Sequence, residues 1–201
     1  MRKLLILPLL FTLANCINIE STADLNDEEM TFTTWTSSQL LGQSEGNPRE
    51  ECEEEGGAFT LDKDGATCVT TKEFSLKDWI KKGYVDYGAM GDDDVNDKLK
   101  ITVAKEGWGK LRFTMDTAPL LENEDMKNDM PEGMEDSMKQ MVLAAVAGKG
   151  VSLKFKGDKI VESNGQISQD GTTVNFYIPM SDLIDPENRV SPDTYTALIK
   201  Y

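Results

Sequence analysis

The sequence predicts an α+β fold, in which an antiparallel curved sheet of hairpins has one main amphipathic helix packed on one face. The helix is predicted at residues 134–146, where apolar side chains recur three and four positions apart. These side chains belong to Met134, Met138, Met141, Val142, Ala145 and Val146. Strands are predicted at residues 151–156 and 173–178, where apolar and polar side chains alternate as they do in a strand with one buried face.

Turn residues separate the elements of this central stretch, which runs from Met134 to Leu183. Gly148 and Gly150 end the helix, and Pro179 ends the last strand. Three dipeptides reverse or bend the chain between strands. They are Gly157-Asp158, Asn164-Gly165 and Asp170-Gly171. We therefore expect one helix followed by a β-meander.

The clearest hairpin is predicted outside that stretch, at residues 99–115, where two alternating segments flank the turn Glu106-Gly107. One of its faces is apolar and the other basic, which is typical of an antiparallel sheet exposed to water on one side. The shorter predicted elements are a strand at 30–35 in a first hairpin, an acidic solvated loop at 42–55, a helical turn from Ser75 to Gly83 and a closing strand at 195–200.

The start of the chain predicts export. Arg2 and Lys3 precede an apolar run from Leu4 to Ala14, which is the layout of a secretory signal. We expect residues 1–15 to be removed and residues 16–201 to form a single domain, because a chain of 201 residues with 39% hydrophobic content can bury about 70% of its unfolded surface.

The end of this signal, Leu13-Ala14-Asn15-Cys16, resembles the lipobox of bacterial lipoproteins. The resemblance implies that Cys16 becomes the first residue and carries the lipid. The alternative is cleavage after Ala14, which would release a secreted soluble domain. Removing Arg2 and Lys3 leaves 19 of the 21 basic residues against 36 acidic ones, a net charge of −17. This charge argues against nucleic acid as a partner and opposes contact with anionic lipid headgroups.

Three cysteines, Cys16, Cys52 and Cys68, leave two to pair if Cys16 carries a lipid. A disulfide between Cys52 and Cys68 would close a hairpin and stabilise the fold by about 3 kcal/mol. A metal pair or a catalytic thiol is disfavoured because the chain contains no histidine. The same absence removes Ser-His and Cys-His catalysis. We predict no catalytic residues, and a carboxylate-dependent hydrolase is the alternative that the many acidic residues leave open.

The sequence contains residues that could bind calcium or Cu(I), and both sets of residues also have a simpler structural explanation. The acidic segments Asp62–Gly65 and Asp92–Asp94 lack the spacing of a calcium loop, so solvated loops are favoured. The methionines near the predicted helix are soft ligands for Cu(I), but their spacing is also that of core packing, which is favoured. We therefore predict no metal and no cofactor.

The layout resembles the LppM-like envelope lipoproteins of bacteria. The resemblance lies in Cys16 followed by Ile17-Asn18-Ile19 and a polar hairpin, in the late helix, and in the segments Lys159–Gly165, Asp170–Val174 and Ile178-Pro179. It implies an α+β domain whose curved sheet is suited to holding lipid or glycolipid, with anchoring through Cys16.

The leading functional hypothesis is a non-enzymatic lipoprotein of the bacterial cell envelope that faces the periplasm or the cell exterior. It would be held to the membrane by its N-terminal lipid and would bind an apolar, lipid or glycolipid ligand, or an envelope protein partner. A ligand cavity is expected between the helix and the sheet. Its predicted lining residues are Met134, Met138, Met141, Val142, Val146, Phe155 and Phe176.

Overall fold

The structure is a computed structural model that describes residues 18–26, 29–38, 48–54, 56–62, 65–85, 101–121 and 136–201. The strands are β1 (Asn18–Asp24), β2 (Glu29–Ser38), β3 (Ala58–Asp62), β4 (Gly65–Ser75), β5 (Ile101–Lys105), β6 (Lys110–Asp116), β7 (Gly150–Lys156), β8 (Lys159–Ser163), β9 (Gln166–Ile167), β10 (Thr173–Pro179) and β11 (Thr194–Lys200). The helices are α1 (Pro48–Glu54), α2 (Leu76–Lys82), α3 (Ala118–Leu121), α4 (Asp136–Ala145) and α5 (Met180–Ile184), and a 3-10 turn spans Pro186–Asn188.

Within these residues the strands form two sheets. The larger sheet has the order β3-β4-β2-β1-β7-β10-β9, and the smaller has the order β5-β6-β11-β8. β1 pairs with β7 in parallel, whereas the other strand pairs are antiparallel. The predicted α+β class is therefore confirmed, and the larger sheet is mixed because the N-terminal strand lies beside a strand from the last third of the chain.

The first hairpin and the clearest hairpin are present as predicted, but the β-meander predicted after the late helix is wrong. β7 pairs with β1 and β10 in the larger sheet, whereas β8 pairs with β11 in the smaller one. β5 and β6 pair from Ile101 opposite Met115 to Lys105 opposite Leu111, and β1 pairs with β2 as the first hairpin. The predicted closing strand is β11, which lies between β6 and β8. α2 begins at Ser75, whose Oγ accepts a hydrogen bond from the amide of Asp78, and ends at Gly83 with a left-handed φ of 78°.

The acidic segment 42–55 was wrongly predicted to be a loop throughout, because residues 48–54 form helix α1. Proline is favoured in the first turn of a helix, and glutamate is a good helix former, so the segment has helical propensity despite its charge. Arg49 and Glu53 lie one turn apart on α1, with Nη1 and Oε1 separated by 3.8 Å. The run of acids indicates solvent exposure, but exposure does not exclude a helix.

The main core lies between the two sheets and is centred on four aromatic rings. Phe113 of the smaller sheet packs on Phe155 of the larger one, with ring centroids 4.6 Å apart. Phe155 lies 5.5 Å from Phe176, and Phe176 stacks on Tyr195 at 5.1 Å. The apolar face that carries Phe155 and Phe176 is therefore covered by a second sheet, not by the predicted helix. Strand periodicity shows that a face is apolar but does not show what covers it.

Replacing Phe155 with alanine tests whether this side chain is part of the core. Because the ring is 0% exposed and packs on two other rings, we expect Phe155→Ala to lower the free energy of unfolding by about 3–5 kcal/mol. Urea denaturation would measure the loss. Trp108→Ala is the control, since that side chain is 100% exposed and its removal should change stability by no more than about 0.5 kcal/mol. Equal effects of the two changes would contradict the assignment.

Candidate functional site

The predicted lipid-bearing residue, Cys16, lies outside the described residues, but the strand that follows it is well defined. β1 begins at Asn18 and is bonded on both sides, with Ile19 opposite Thr36 of β2 and opposite Val151 of β7. The chain therefore enters the middle of the larger sheet two residues after Cys16. Two residues span at most about 7 Å, so a group attached to Cys16 would lie next to this end of the sheet.

The two remaining cysteines are joined. Cys52 Sγ and Cys68 Sγ are 2.07 Å apart, and their Cα atoms are separated by 5.8 Å. Cys52 lies on α1, so the bridge ties this helix to β4 and does not link the two strands of the hairpin directly. Gly57 makes the approach possible, because a Cβ at that position would lie 2.7 Å from Cys52 Sγ and 2.9 Å from Cys68 Sγ.

The residues predicted to line a ligand cavity differ in their surroundings, as far as the structure describes them. Met134 lies outside the described residues, and the side chain of Met138 is not described. Met141 is 67% exposed. Val142 and Val146 are buried, but they do not belong to the cluster of core residues between the sheets. Phe155 and Phe176 do belong to it, and both are 0% exposed.

Phe155 and Phe176 are thus joined by two residues that the sequence did not single out as site residues, Phe113 and Tyr195. Their positions carried a usable signal, since each occupies an apolar position of an alternating strand. What the sequence lacked was the pairing of β11 with β6 and β8, which closes the smaller sheet over these rings. Whether the α4 residues border a separate cavity stays a prediction.

A buried carboxylate lies in the connector between β10 and β11. Asp182 is 2% exposed, and its Oδ2 accepts hydrogen bonds from the backbone amides of Val190 and Ser191, at 3.1 and 2.8 Å, and from Ser191 Oγ. These donors compensate the burial of the charge. Asp182 therefore holds the connector in place, and the sequence missed this role because its partners lie eight and nine positions away.

Two tyrosines face this carboxylate. The hydroxyl of Tyr195 donates a hydrogen bond to the backbone carbonyl of Tyr177. Burial raises the pKa of the Tyr195 phenol, and the negative charge of Asp182 raises it further. The same two causes raise the pKa of Tyr177. Both phenols therefore stay neutral at physiological pH, and that of Tyr195 serves as a hydrogen-bond donor.

The carboxyl groups within the described residues show no acid–base pair of the kind a hydrolase needs. In the described part of the chain, the partners of Asp182 are amides and serine hydroxyls, with no second carboxyl among them. The carboxyl groups there with a displaced pKa are Glu106, Asp170 and Asp185, and in all three the pKa is lowered by hydrogen bonds. A general acid would require a raised pKa.

The two acidic segments that were compared with calcium loops, 62–65 and 92–94, lie largely outside the described residues. Asp62 pairs with Gly65 across a two-residue hairpin turn, while residues 63–64 and 92–94 lie outside the description. No group of three acidic or cysteine side chains suited to a metal ion occurs among the residues that the structure describes.

An ion pair joins helix α4 to the connector between β10 and β11. Lys139 Nζ lies 2.9 Å from Asp185 Oδ1, and Asp185 Oδ2 accepts a hydrogen bond of 3.0 Å from Asn188 Nδ2. The hydrogen bonds from Asn188 and Lys139, with the positive charge of Lys139, lower the pKa of the Asp185 carboxyl. The helix therefore packs beside the connector that Asp182 organises.

These features define a two-sheet α+β domain with an aromatic core, a disulfide-tethered helix and no assembled catalytic group among the described residues. The chain is similar in structure to the folded domain of the LppM protein of Mycobacterium tuberculosis, with a TM-score of 0.50 and 11% sequence identity over 92% of this chain and 90% of that one. The predicted resemblance is thus confirmed at the level of the fold. No protein-family model and no curated protein matches the sequence.

Hydropathy adds one observation about membranes. In the part of the chain that the structure describes, no helix is both long and apolar enough to cross a bilayer.

Removing the disulfide should destabilise the domain without changing its core. The cysteines are separated by 16 positions, and closing a loop of that length stabilises the folded state by about 3 kcal/mol. We expect the double variant Cys52→Ser/Cys68→Ser to lose that amount in urea denaturation. Dithiothreitol should lower the stability of the unsubstituted protein to the level of the variant and leave the variant unchanged. A reductant-insensitive wild type would show that the bridge does not form.

The Lys139–Asp185 pair predicts a pH dependence. The folded-state pKa of Asp185 is lowered from 3.8, so its contribution to stability is present above that value and is lost as the pH falls through the folded-state pKa. Wild type should therefore be more stable than Asp185→Asn at neutral pH, and the difference should vanish well below 3.8. Asp158→Asn is the comparison, because Asp158 lies 3.8 Å from Lys200 in a largely exposed pair. A difference that persists in acid would exclude the charged interaction.

Proposed function

We propose that the protein is a non-enzymatic lipoprotein of the bacterial cell envelope, anchored through Cys16, whose domain faces the periplasm or the cell exterior. The observation that carries the proposal is the position of β1, which begins two residues after Cys16 and is bonded within the larger sheet. Because β1 is part of the fold, residues 1–15 precede the domain and can be removed without loss of a described element.

Two further observations support this proposal. The fold is similar to that of the LppM folded domain, and the sequence at residues 13–16 resembles a lipobox. The bond between Cys52 and Cys68 requires an oxidising compartment. With these two thiols consumed, Cys16 is the one cysteine of the sequence that is left for modification.

Binding of an envelope protein partner is the activity that the geometry supports best. Phe155 and Phe176, which had been expected to face a ligand, pack against the rings of Phe113 and Tyr195. A side chain that is 0% exposed and in contact with neighbouring rings serves the core. Recognition would then use the outer surface of the domain, where polar and apolar side chains are accessible.

An apolar or lipid ligand is the second candidate, and one observation favours it. Val142 and Val146 are 8% and 1% exposed, yet they do not belong to the core between the sheets. Their side chains are therefore buried outside that core, on α4 and in the turn that follows it. A ligand held there would contact the helix without disturbing the aromatic core.

The anchor is tested by expressing the full chain with its signal in a bacterium and analysing the mature N-terminus by mass spectrometry. We expect a chain that begins at Cys16, carries fatty acids and sediments with membranes. Cys16→Ser should move the protein to the soluble fraction, because acyl chains are what hold a lipoprotein on a bilayer. Cys52→Ser/Cys68→Ser is the matched control, since it removes two other cysteines and should leave the protein on membranes.

A mature protein that begins at Asn15 with an unmodified Cys16 would overturn the anchor. It would identify the chain as a secreted soluble domain, which is the alternative that cleavage after Ala14 predicts.

A further inference from the structure

The turn between β5 and β6 presents a tryptophan to solvent. Trp108 is 100% exposed and lies between Gly107 and Gly109, whose φ angles are 79° and 62°. These left-handed conformations favour glycine, so the turn holds Trp108 at its apex. The carbonyl of Gly109 accepts a hydrogen bond of 3.1 Å from the amide of Tyr201, which fixes the turn to the end of β11. We call residues 105–110 the Trp108 tip.

A row of lysines runs across the smaller sheet beside this tip. Lys200 of β11 lies opposite Lys110 of β6 and also opposite Lys159 of β8, so three cations occupy one line on neighbouring strands. Like charges directly opposite each other destabilise a sheet. Lys200 has a carboxylate, Asp158 Oδ2, at 3.8 Å. Lys110 and Lys159 have no ion pair in the described part of the chain.

The next charged side chains along the same strands are one arginine and two glutamates. Arg112 bonds to Glu106 across the turn and to Glu162 of β8 at 2.8 Å. The hydrogen bond from Arg112, with the charges of Arg112 and Lys110, lowers the pKa of the Glu106 carboxyl, so this group stays ionised. The described side chains at this end include three carboxylates, Glu106, Asp158 and Glu162, and five cations, Lys105, Lys110, Arg112, Lys159 and Lys200. The surroundings of the Trp108 tip therefore keep an excess of two positive charges, in a chain whose net charge is −15.

The Trp108 tip lies at the end of the domain opposite Asn18. Ile19 pairs with Val151 near the start of β7. A Cβ on Gly157, just past the far end of β7, would lie 2.6 Å from the carbonyl of Lys200. The lysine row is thus beside the end of β7, and a strand of seven residues separates the two ends by about 20 Å.

We propose that the Trp108 tip and the lysine row dock on an anionic lipid surface. Indole has an apolar body and a polar N–H, and tryptophan is for this reason enriched at the level of lipid headgroups. Lysines near an anionic bilayer strengthen such contacts. A basic end on a strongly acidic domain also orients the molecule, because the remaining surface is repelled by the same bilayer. The general repulsion that the net charge predicts therefore does not hold at this end.

The identity of that surface rests on the proposed function. If Cys16 is anchored, the Trp108 tip points away from the anchoring bilayer, since the one intervening residue, Ile17, cannot bridge a separation of about 20 Å. The lipid surface met by the tip is then a second one, and the lipidated protein links two bilayers.

The docking is tested with the Cys16→Ser chain, which carries no lipid, so the outcome does not depend on the anchor. Vesicles of phosphatidylglycerol and phosphatidylcholine are compared with vesicles of phosphatidylcholine alone, and intrinsic fluorescence is recorded. Trp79 is buried, with 2% exposure, whereas Trp108 is fully exposed to water. Transfer of Trp108 into the headgroup layer should therefore shift the emission to the blue. We expect the shift with anionic vesicles only, and its loss at high salt.

Variants assign the binding to this site. Trp108→Ala should abolish the shift, and Lys110→Glu or Lys159→Glu should weaken sedimentation with anionic vesicles by about fivefold or more. Val190→Ala and Lys149→Glu are matched controls at the opposite end. Val190 is an apolar residue 79% exposed just before β11, and Lys149 precedes β7. Neither control should change binding.

The docking would be overturned if anionic vesicles caused no shift or if all the variants bound equally. It would also be overturned by an equal response to soluble dextran sulfate, which would identify a polyanion and not a lipid surface as the ligand. The second bilayer is tested separately. The lipidated chain should cluster anionic vesicles, and lipidated Trp108→Ala should not. Clustering by both proteins would remove the link between two bilayers.

Discussion

The packing of Phe113 against Phe155 joins the two sheets, and the rest of the structure depends on it. With a centroid separation of 4.6 Å, these rings close the space between the sheets, and Phe176 and Tyr195 extend the same stack. The side chains at the centre of this core are apolar and packed against one another. The features with chemical character accordingly lie at strand ends, in the β10–β11 connector and at α1, where the disulfide is formed.

Much of this fold was predictable from local patterns, because alternation identifies strands and turn dipeptides identify their ends. The β5–β6 hairpin, the capped helix α2 and the strand segments of the late stretch followed from such signals. The predicted meander of these late strands was wrong, because β7 and β10 lie in the larger sheet and β8 lies in the smaller one. The second sheet did not follow, since the position of β11 between β6 and β8 depends on pairings between segments far apart in sequence. The aromatic residues were recognised as apolar, but their neighbours could not be known before these pairings were.

Contacts between distant segments also limited how much of the candidate site could be predicted from the sequence. Counting cysteines predicted the pairing of Cys52 with Cys68. The helix that carries Cys52 was predicted to be a loop, because its sequence is a run of acidic residues. Asp182 gave no local sign of burial, because its donors are supplied by a connector that folds back over it. The lysine row could not be predicted from the sequence either, because Lys110, Lys159 and Lys200 become neighbours only when three strands are in register.

The parallel pairing of β1 with β7 also constrains when the domain can form. Asp24 and Lys156, which are bonded at 2.7 Å across this pair, are 132 positions apart. The first described strand therefore waits for residues that are synthesised much later. Until then it lacks one of its two neighbours, so the larger sheet cannot close. A topology of this kind delays compaction of the larger sheet until most of the polypeptide is available to fold.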